Sequence, residues 1–409
     1  PSLHGEALPK RFAVGPQHPS GTRRSPALLW LLLAFFSLVT LVCTAQDDGQ
    51  VFKTIRIGGQ RTLSGYLISW VDVSPDGGTV AASATQGFPF RFYPMDDPEA
   101  ATGIDVGNWY AGSRARYSRS GKYMLLQQLF YLDFAPNKDR PIKYEVLDVA
   151  AGKAVRTFED LYAADLTPDE ATVLTLDKAG VHFVDLASGR RDDAKHIDRT
   201  GNAIAVSPDG TRFAVAHRPT KDEVSAIPAV RNDKDAIKAG VKQGQIVVVY
   251  DLATLKPLFT LPELFDKVFR LEYSPDGRDL WVHAKPHTRK GGNPNVNQSY
   301  VEVSDAATGE MRRTSFPSLA LYEPDFRTSP DGSLFAIGSA GGKFQEVHLY
   351  DRATGRMVDR FVVSWRLWEN LDKGEFASGD GRLSFCFLPD NKRMLLTSGN
   401  RLIEWTYAP

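Results

Sequence analysis

Cysteine is scarce in this chain, which has only Cys43 and Cys386 among its 409 residues. Cys43 lies at the end of an apolar N-terminal segment. If that segment is removed after Cys43, a single thiol remains and an internal disulfide is impossible. Cysteine usage therefore neither supports nor excludes an oxidising compartment.

The chain also lacks an excess of charge of either sign. Lysine plus arginine and aspartate plus glutamate both number 49, so the formal net charge is zero. Domains that bind nucleic acid carry a clustered basic excess. We therefore expect no nucleic-acid partner.

Catalytic and cofactor motifs are absent as well. The sequence has no Gly-x-Ser-x-Gly elbow, phosphate-binding loop, dinucleotide fingerprint, His-Glu-x-x-His or Cys-x-x-Cys-His. His283 and His287 are spaced like zinc ligands on a helix. Pro286, Gly291 and Gly292 disfavour a helix there, so both are interpreted as loop histidines. We predict no catalytic residue, no metal and no cofactor.

A long uncharged run occurs at the N-terminus. Residues 26–45 contain no charged side chain and follow Arg23 and Arg24, and their apolar core of about 16 residues is typical of a secretory signal. The core is slightly shorter than the ~20 residues of a membrane span. We predict a signal peptide or membrane anchor at 26–45, after a disordered basic stretch at 1–25. Cleavage, retention and lipidation at Cys43 stay open. The protein is expected to be exported, as a periplasmic, extracellular or membrane-anchored molecule.

One short motif recurs along the rest of the chain, at a mean spacing of about 52 residues. Proline presets the second position of a type I turn, aspartate suits the third, and glycine takes the left-handed position that closes a hairpin. Ser-Pro-Asp-Gly is intact at 74–77, 207–210, 274–277 and 329–332, and degenerate at 118–121, 167–170 and 388–391. Each copy predicts a hairpin of two strands, A and B.

A second motif follows the first in most repeats. It reads as an apolar strand, an aspartate, small residues and a glycine, and it occurs at 146–152, 182–189, 303–309 and 349–355. This pattern predicts a second hairpin, of strands C and D. Four antiparallel strands per repeat are typical of a propeller blade. We predict an all-β fold, a seven-bladed β-propeller at 46–409.

The ends of the repeat region predict how the ring closes. The last repeat stops at 402–407, which fits strand C, and it has no strand D of its own. Residues 51–57 precede the first repeat and resemble strand D of other repeats. We predict that this N-terminal strand completes the last blade, which would remove an exposed edge.

These repeats resemble bacterial WD-repeat and YVTN-type propellers, over residues 51–409. The family's Trp-Asp at the end of strand C corresponds here to pairs such as Leu147-Asp148, Val184-Asp185 and Tyr350-Asp351. The Gly-His of typical eukaryotic members is absent. The resemblance implies the propeller fold, and it implies function only as a class.

Loop lengths predict a functional face. The A–B and C–D turns share one end of each blade and are short, whereas the B–C and D–A connections share the other end and vary. The B–C connection runs from 170 to 185 in the third repeat and from 210 to 251 in the fourth. Long loops on a rigid scaffold commonly carry binding. The candidate partner-binding residues are Trp109, Tyr110, His283, His287, Arg289, Trp365, Arg366 and Trp368. The mixed charges of 218–244 are interpreted as a solvated, flexible loop.

Three functions remain open at this point. The first is an extracytoplasmic protein-interaction scaffold with a protein partner. The second is a propeller enzyme, such as a lactonase or a quinoprotein-like dehydrogenase, which would need converging polar groups and a metal or cofactor at the channel mouth. The third is an envelope-assembly or ligand-sensing factor of the TolB type. We favour the scaffold, with the membrane contacted only through the N-terminal segment.

Overall fold

The computed structural model describes a propeller made of seven four-stranded antiparallel sheets. The described residues are 61–62, 68–84, 90–97, 100–104, 113–129, 142–286, 298–319, 325–341, 344–364, 383–398 and 401–407. All of them belong to one compact unit, Lys53–Pro409. The predicted all-β, seven-bladed architecture is confirmed.

Each of the first six blades is built from four consecutive strands, named here in chain order after β1 (Arg61–Thr62). The first three blades contain β2 (Ile68–Val73), β3 (Thr79–Ala84), β4 (Phe90–Pro94), β5 (Thr102–Ile104); β6 (Ser113–Tyr117), β7 (Tyr123–Gln128), β8 (Ile142–Asp148), β9 (Lys153–Leu161); and β10 (Ala163–Leu166), β11 (Thr172–Leu176), β12 (Val181–Asp185), β13 (Arg191–Ile197).

The next three blades follow the same order, and the last blade differs. They contain β14 (Gly201–Val206), β15 (Arg212–His217), β16 (Ile246–Asp251), β17 (Pro257–Thr260); β18 (Phe265–Tyr273), β19 (Asp279–Pro286), β20 (Gln298–Asp305), β21 (Met311–Leu319); and β22 (Phe326–Thr328), β23 (Leu334–Gly341), β24 (Phe344–Asp351), β25 (Met357–Ser364). The seventh combines β26 (Phe385–Phe387), β27 (Arg393–Ser398) and β28 (Arg401–Thr406) with β1.

The A–B turns have the geometry that their sequence predicts. In the fifth blade, Ser274 Oγ donates to Asp276 Oδ1 at 2.6 Å and accepts from the Asp279 N–H at 2.9 Å. Asp276 Oδ1 also accepts from the Arg278 N–H at 3.1 Å. Gly277 has φ 70°, the left-handed value that glycine adopts most readily. In this turn, side-chain bonds within the hairpin hold the backbone without a contact to another blade.

Two degenerate copies of the turn place a larger residue in the left-handed position. Glu170 has φ 59° and Asn391 has φ 55°. Both side chains form hydrogen bonds with the turn of the preceding blade. The Glu170 carboxylate accepts from the Ser120 N–H at 3.0 Å and from Ser120 Oγ at 2.8 Å. The Asn391 side chain accepts from the Asp331 N–H at 3.1 Å. In these copies a contact between blades accompanies the strained backbone.

Direct packing joins the first and last blades. The Val71 N–H donates to Ser384 Oγ at 3.1 Å, and Val71 shares a buried cluster with Cys386. A Cβ added to Gly77 would lie 3.1 Å from Pro389. Neighbouring turns and cores therefore form a closed ring.

The last blade takes its fourth strand from the chain before the first blade. Arg61 pairs with Leu402, and Thr62 pairs with Arg401. The predicted closing strand, 51–57, lies outside the described residues, as does the apolar segment 26–45, so both stay predictions. Within the described residues, no helix is long and apolar enough to cross a membrane.

We predict that Glu170→Ala destabilises the fold by about 1–2 kcal/mol, because it removes two hydrogen bonds between blades and keeps the left-handed backbone. Glu170→Gly removes the same bonds and relieves the backbone, so it should be about 1 kcal/mol less destabilising. Urea unfolding of the two variants checks this. Equal free energies of unfolding for the two variants would contradict the strained conformation.

Candidate functional site

The central channel gathers charged side chains from the innermost strands. The residue two places before the A–B turn is Asp72, Arg116, Asp165, Ala205, Glu272, Arg327 and Cys386 in blades one to seven. Inner strands of six blades line one cavity of ≈ 70 Å³, whose walls include Trp70, Arg116, Asp165, Asn202, Glu272 and Arg327. A repeated sequence position thus brings three acidic and two basic side chains to the channel, whereas Ala205 and Cys386 are uncharged.

One side of the ring centres on Asp165 of the third blade. Its Oδ1 pairs with the Arg116 guanidinium of the second blade, and its Oδ2 accepts from the Val206 N–H of the fourth at 2.7 Å. The Asp165 carboxylate raises the pKa of Arg116. A single carboxylate therefore connects three blades.

The other side centres on Asp325, which is 1% exposed. Its Oδ1 accepts from Arg270 Nη1 at 3.3 Å, and its Oδ2 accepts from Arg327 Nε at 3.4 Å. The same Oδ2 accepts from Ser384 Oγ at 3.2 Å and from the Phe385 N–H at 3.3 Å. Asp325 thus joins blades five, six and seven.

The remaining two carboxylates differ in their electrostatic surroundings. Burial raises the pKa of Asp72, which Arg327 opposes, and the Tyr117 N–H donates to its Oδ2 at 2.9 Å. Burial also acts to raise the pKa of Glu272, but the guanidinium groups nearby, that of Arg270 foremost, bring it below its ordinary value. Glu272 is therefore held ionised, and Asp72 is easier to protonate than an exposed aspartate.

This channel arrangement fastens blades to one another. Four carboxylates lie among three arginines, Arg116, Arg270 and Arg327, and the contacts described above engage the carboxylates with neighbouring guanidinium groups or backbone N–H groups. Among the described residues, no three His, Cys, Asp or Glu side chains are grouped so that they could hold a metal ion. Polar groups converge here, as an enzyme would require, but they are occupied with structural contacts.

The B–C connection of the fourth blade contains two helices, α1 (Lys221–Ala226) and α2 (Lys234–Gln243). The interpretation of 218–244 as a solvated, flexible loop is therefore wrong. Thr220 caps α1 in a capping box with Glu223, and Asp233 caps α2. Both signals are present in the sequence.

Both helices are packed firmly onto the blade. Arg199 makes two hydrogen bonds of 2.8 Å to the Glu223 carboxylate. A Cβ added to Gly240 would lie 2.9 Å from Leu264 Cδ2 and 3.0 Å from Val224 Cγ1. The α2 backbone thus approaches the D–A connection so closely that its orientation is fixed.

Two buried histidines are structural. His217 Nδ1 lies 3.0 Å from the Thr200 carbonyl, Tyr250 Oη lies 3.0 Å from its Nε2, and burial lowers the pKa of His217 to about 4. His283 is 0% exposed, lies 2.9 Å from Ser299 Oγ through Nε2, and has a pKa lowered by burial. The sequence predicts a loop at His283, and this prediction is wrong. His283 lies inside β19, because that strand extends as far as Pro286.

The structure describes none of the other predicted partner-binding residues. Trp109, Tyr110, His287, Arg289, Trp365, Arg366 and Trp368 lie outside the described residues. Their role stays a prediction. The structure adds the α1–α2 pair to the same face.

Comparison with known proteins identifies the fold. No protein-family model and no curated protein matches the chain. A similar solved structure is the β-propeller domain of Cps50 (Swd1) from Myceliophteria thermophila, with a TM-score of 0.56 and 12% identity, covering 86% of this chain and 99% of that one. At this identity the likeness shows a propeller and no more.

We predict that Asp325→Asn lowers the free energy of unfolding by about 2–3 kcal/mol, since Arg270 and Arg327 lose a charged hydrogen-bond acceptor, although Glu272 remains beside them. Urea unfolding at low and high salt measures the effect, which should be nearly independent of salt because the group is buried.

Glu404→Gln is the matched control. Glu404 Oε1 pairs with Arg393 Nη1 at 2.9 Å, and both side chains are partly exposed. This change should cost less than about 1 kcal/mol, and less still at high salt. Equal losses for the two variants would contradict the structural role of Asp325.

We also predict that Gly240→Ala loosens α2, although alanine favours a helix by about 1 kcal/mol over glycine. Overpacking against Leu264 and Val224 should outweigh that gain, since it typically costs about 1–3 kcal/mol. Hydrogen exchange of the α1 and α2 amides measures the loss of protection. The exposed Gln243→Ala should leave protection unchanged, and a Gly240→Ala protein with higher protection would disprove the close packing.

Proposed function

We propose that the chain is an extracytoplasmic, WD-repeat-like propeller that acts as a protein-interaction scaffold and not as an enzyme. Its partner binds the face that carries the long B–C and D–A connections. The observation that carries this proposal is the difference between the two faces: one is a uniform ring of short turns bonded to one another, and the other varies and carries an added pair of helices.

Side chains on the turn face are engaged with neighbouring blades. Arg352 of the sixth blade donates to Asp279 Oδ2 at 2.7 Å and to the Gly332 carbonyl at 2.9 Å. Arg119 of the second blade donates to the Pro208 carbonyl of the fourth at 2.9 Å. These contacts tie both arginine side chains into the ring.

The opposite face offers a rigid platform, on the face where the aromatic residues are predicted. Its helices are already capped and packed. Binding a partner would therefore cost little conformational entropy for ordering them. Tryptophan, tyrosine and arginine are enriched at interface hot spots. Trp109, Tyr110, Trp365, Arg366 and Trp368 supply these residue types on the same face.

The resemblance to WD-repeat and YVTN-type propellers and the likeness to the Cps50 (Swd1) propeller fit an interaction role in general. The channel charges favour the scaffold over an enzyme, because their contacts within the ring explain their presence.

Export and ring closure complete the proposal. Residues 26–45 serve as a signal peptide or anchor after the basic stretch 1–25, and residues 51–57 close the last blade of the propeller at 46–409. The pairing of Arg61–Thr62 with β28 supports closure by the chain that precedes the first blade, since this pair lies only four residues after the predicted closing strand.

We predict that Trp365→Ala and Trp368→Ala weaken partner binding by roughly thirtyfold when either residue is a hot spot. A cross-linked pull-down from the cell envelope, quantified by mass spectrometry, measures the captured partner. Leu258→Ala is the control, because Leu258 is 47% exposed on the outer strand β17. Unchanged capture by both tryptophan variants would reject this choice of face.

A further inference from the structure

The α2 helix carries a row of exposed lysines on the face with the long connections. Lys234, Lys238 and Lys242 are four residues apart, and all three are exposed, as is Arg231 just before the helix. Side chains four residues apart lie on one side of a helix. Within the part of the chain that the structure describes, none of these four side chains has an ion-pair or hydrogen-bond partner.

The row disfavours the helix that carries it. Like charges four residues apart repel one another. Lys234 is the first residue of α2, where a positive charge opposes the helix dipole, whereas Lys242 in the last turn complements it. The helix is held instead by the Asp233 cap and by the burial of Ala236 and Gly240. A local feature that opposes folding without adding to the packing is expected where it serves a function.

The spacing of the row matches an extended chain. Successive lysines are about 6 Å apart along the helix axis, because each residue rises ~1.5 Å. Alternate side chains of an extended segment point to the same side and lie about 6.6 Å apart. A carboxylate at every second residue therefore meets each lysine in turn. Val241, which is 38% exposed, lies beside the row and offers an apolar contact.

We infer that the lysine row of α2 binds an extended acidic segment of a protein partner, with aspartate or glutamate at alternate positions. This inference rests on the proposed function, since it names the chemistry of a partner for the same face. The carboxylates pair with the ammonium groups of Lys234, Lys238 and Lys242, and an intervening side chain contacts Val241.

The test uses a fluorescein-labelled ten-residue peptide in which glutamate and threonine alternate, with fluorescence anisotropy as the readout on the full chain. Its comparator has the same composition with all glutamates consecutive. The alternating peptide should bind more tightly than the comparator. Replacing the row by K234Q/K238Q/K242Q should weaken its binding roughly tenfold, the combined effect of three ordinary surface ion pairs.

A matched triple variant, K153Q/K256Q/K392Q, removes three exposed lysines near the turns and should change nothing. Loss of the row should leave the unfolding midpoint unchanged or higher, because repulsion is relieved. Three results would overturn the inference: equal binding of the two peptides, an equal effect of the control triple, or a lower unfolding midpoint of the row variant. Tighter binding to phosphatidylserine vesicles than to the peptide would also overturn it, in favour of a membrane.

The two proposals fail in different ways. If the peptide does not bind while Trp365→Ala still reduces partner capture, the lysine row is not the site and the scaffold proposal stands. If tryptophan and lysine variants all capture the partner normally and the peptide does not bind, the face itself is rejected.

Discussion

The neutralisation of buried charge around the channel is the constraint on which the ring depends. The Asp165 carboxylate pairs with a guanidinium of the preceding blade and accepts from a backbone N–H of the following blade. The Asp325 carboxylate accepts hydrogen bonds from groups in blades five, six and seven. An uncompensated buried charge costs several kcal/mol. If a blade shifted or left the ring, a buried charge in a neighbouring blade would lose its partner. Together with the apolar surfaces and the bonds between turns, these charges give the blades one defined arrangement.

The sequence predicts the number of blades and the strand order because those features have local causes. A serine, an aspartate and a glycine within four residues fix an A–B turn through bonds that do not leave the turn, as in 274–277. Four such turns and three degenerate copies imply seven blades. Glu170 and Asn391 break the pattern at the glycine, yet both take the left-handed conformation. The bonds between blades made by their side chains are tertiary, so no pattern within one repeat predicts them.

What the sequence does not predict depends on distant partners. The capping signals at Thr220 and Asp233 are visible in the sequence. The burial of one side of α2 is not, because it depends on packing against Leu264, which lies beyond the following hairpin. The position of His283 within a strand is not predicted either, because the length of a strand depends on its neighbour. β19 continues past His283 because β20 pairs with it there. The charged residues two places before five of the seven turns are likewise visible in the sequence, but their pairing requires the ring.

The two faces of the ring are consequences of the same geometry. Because short turns and channel charges already determine how blades meet, a B–C connection can lengthen without disturbing the ring. The fourth blade shows how far this freedom goes, since its connection adds helices with their own buried side chains, Val224 and Ala236. Burial against Leu264 holds α2 in place, so its outer side does not need to favour a helix. Lys234 can therefore occupy the first position of α2, where its charge opposes the helix dipole, and a rigid charged edge becomes available to a partner.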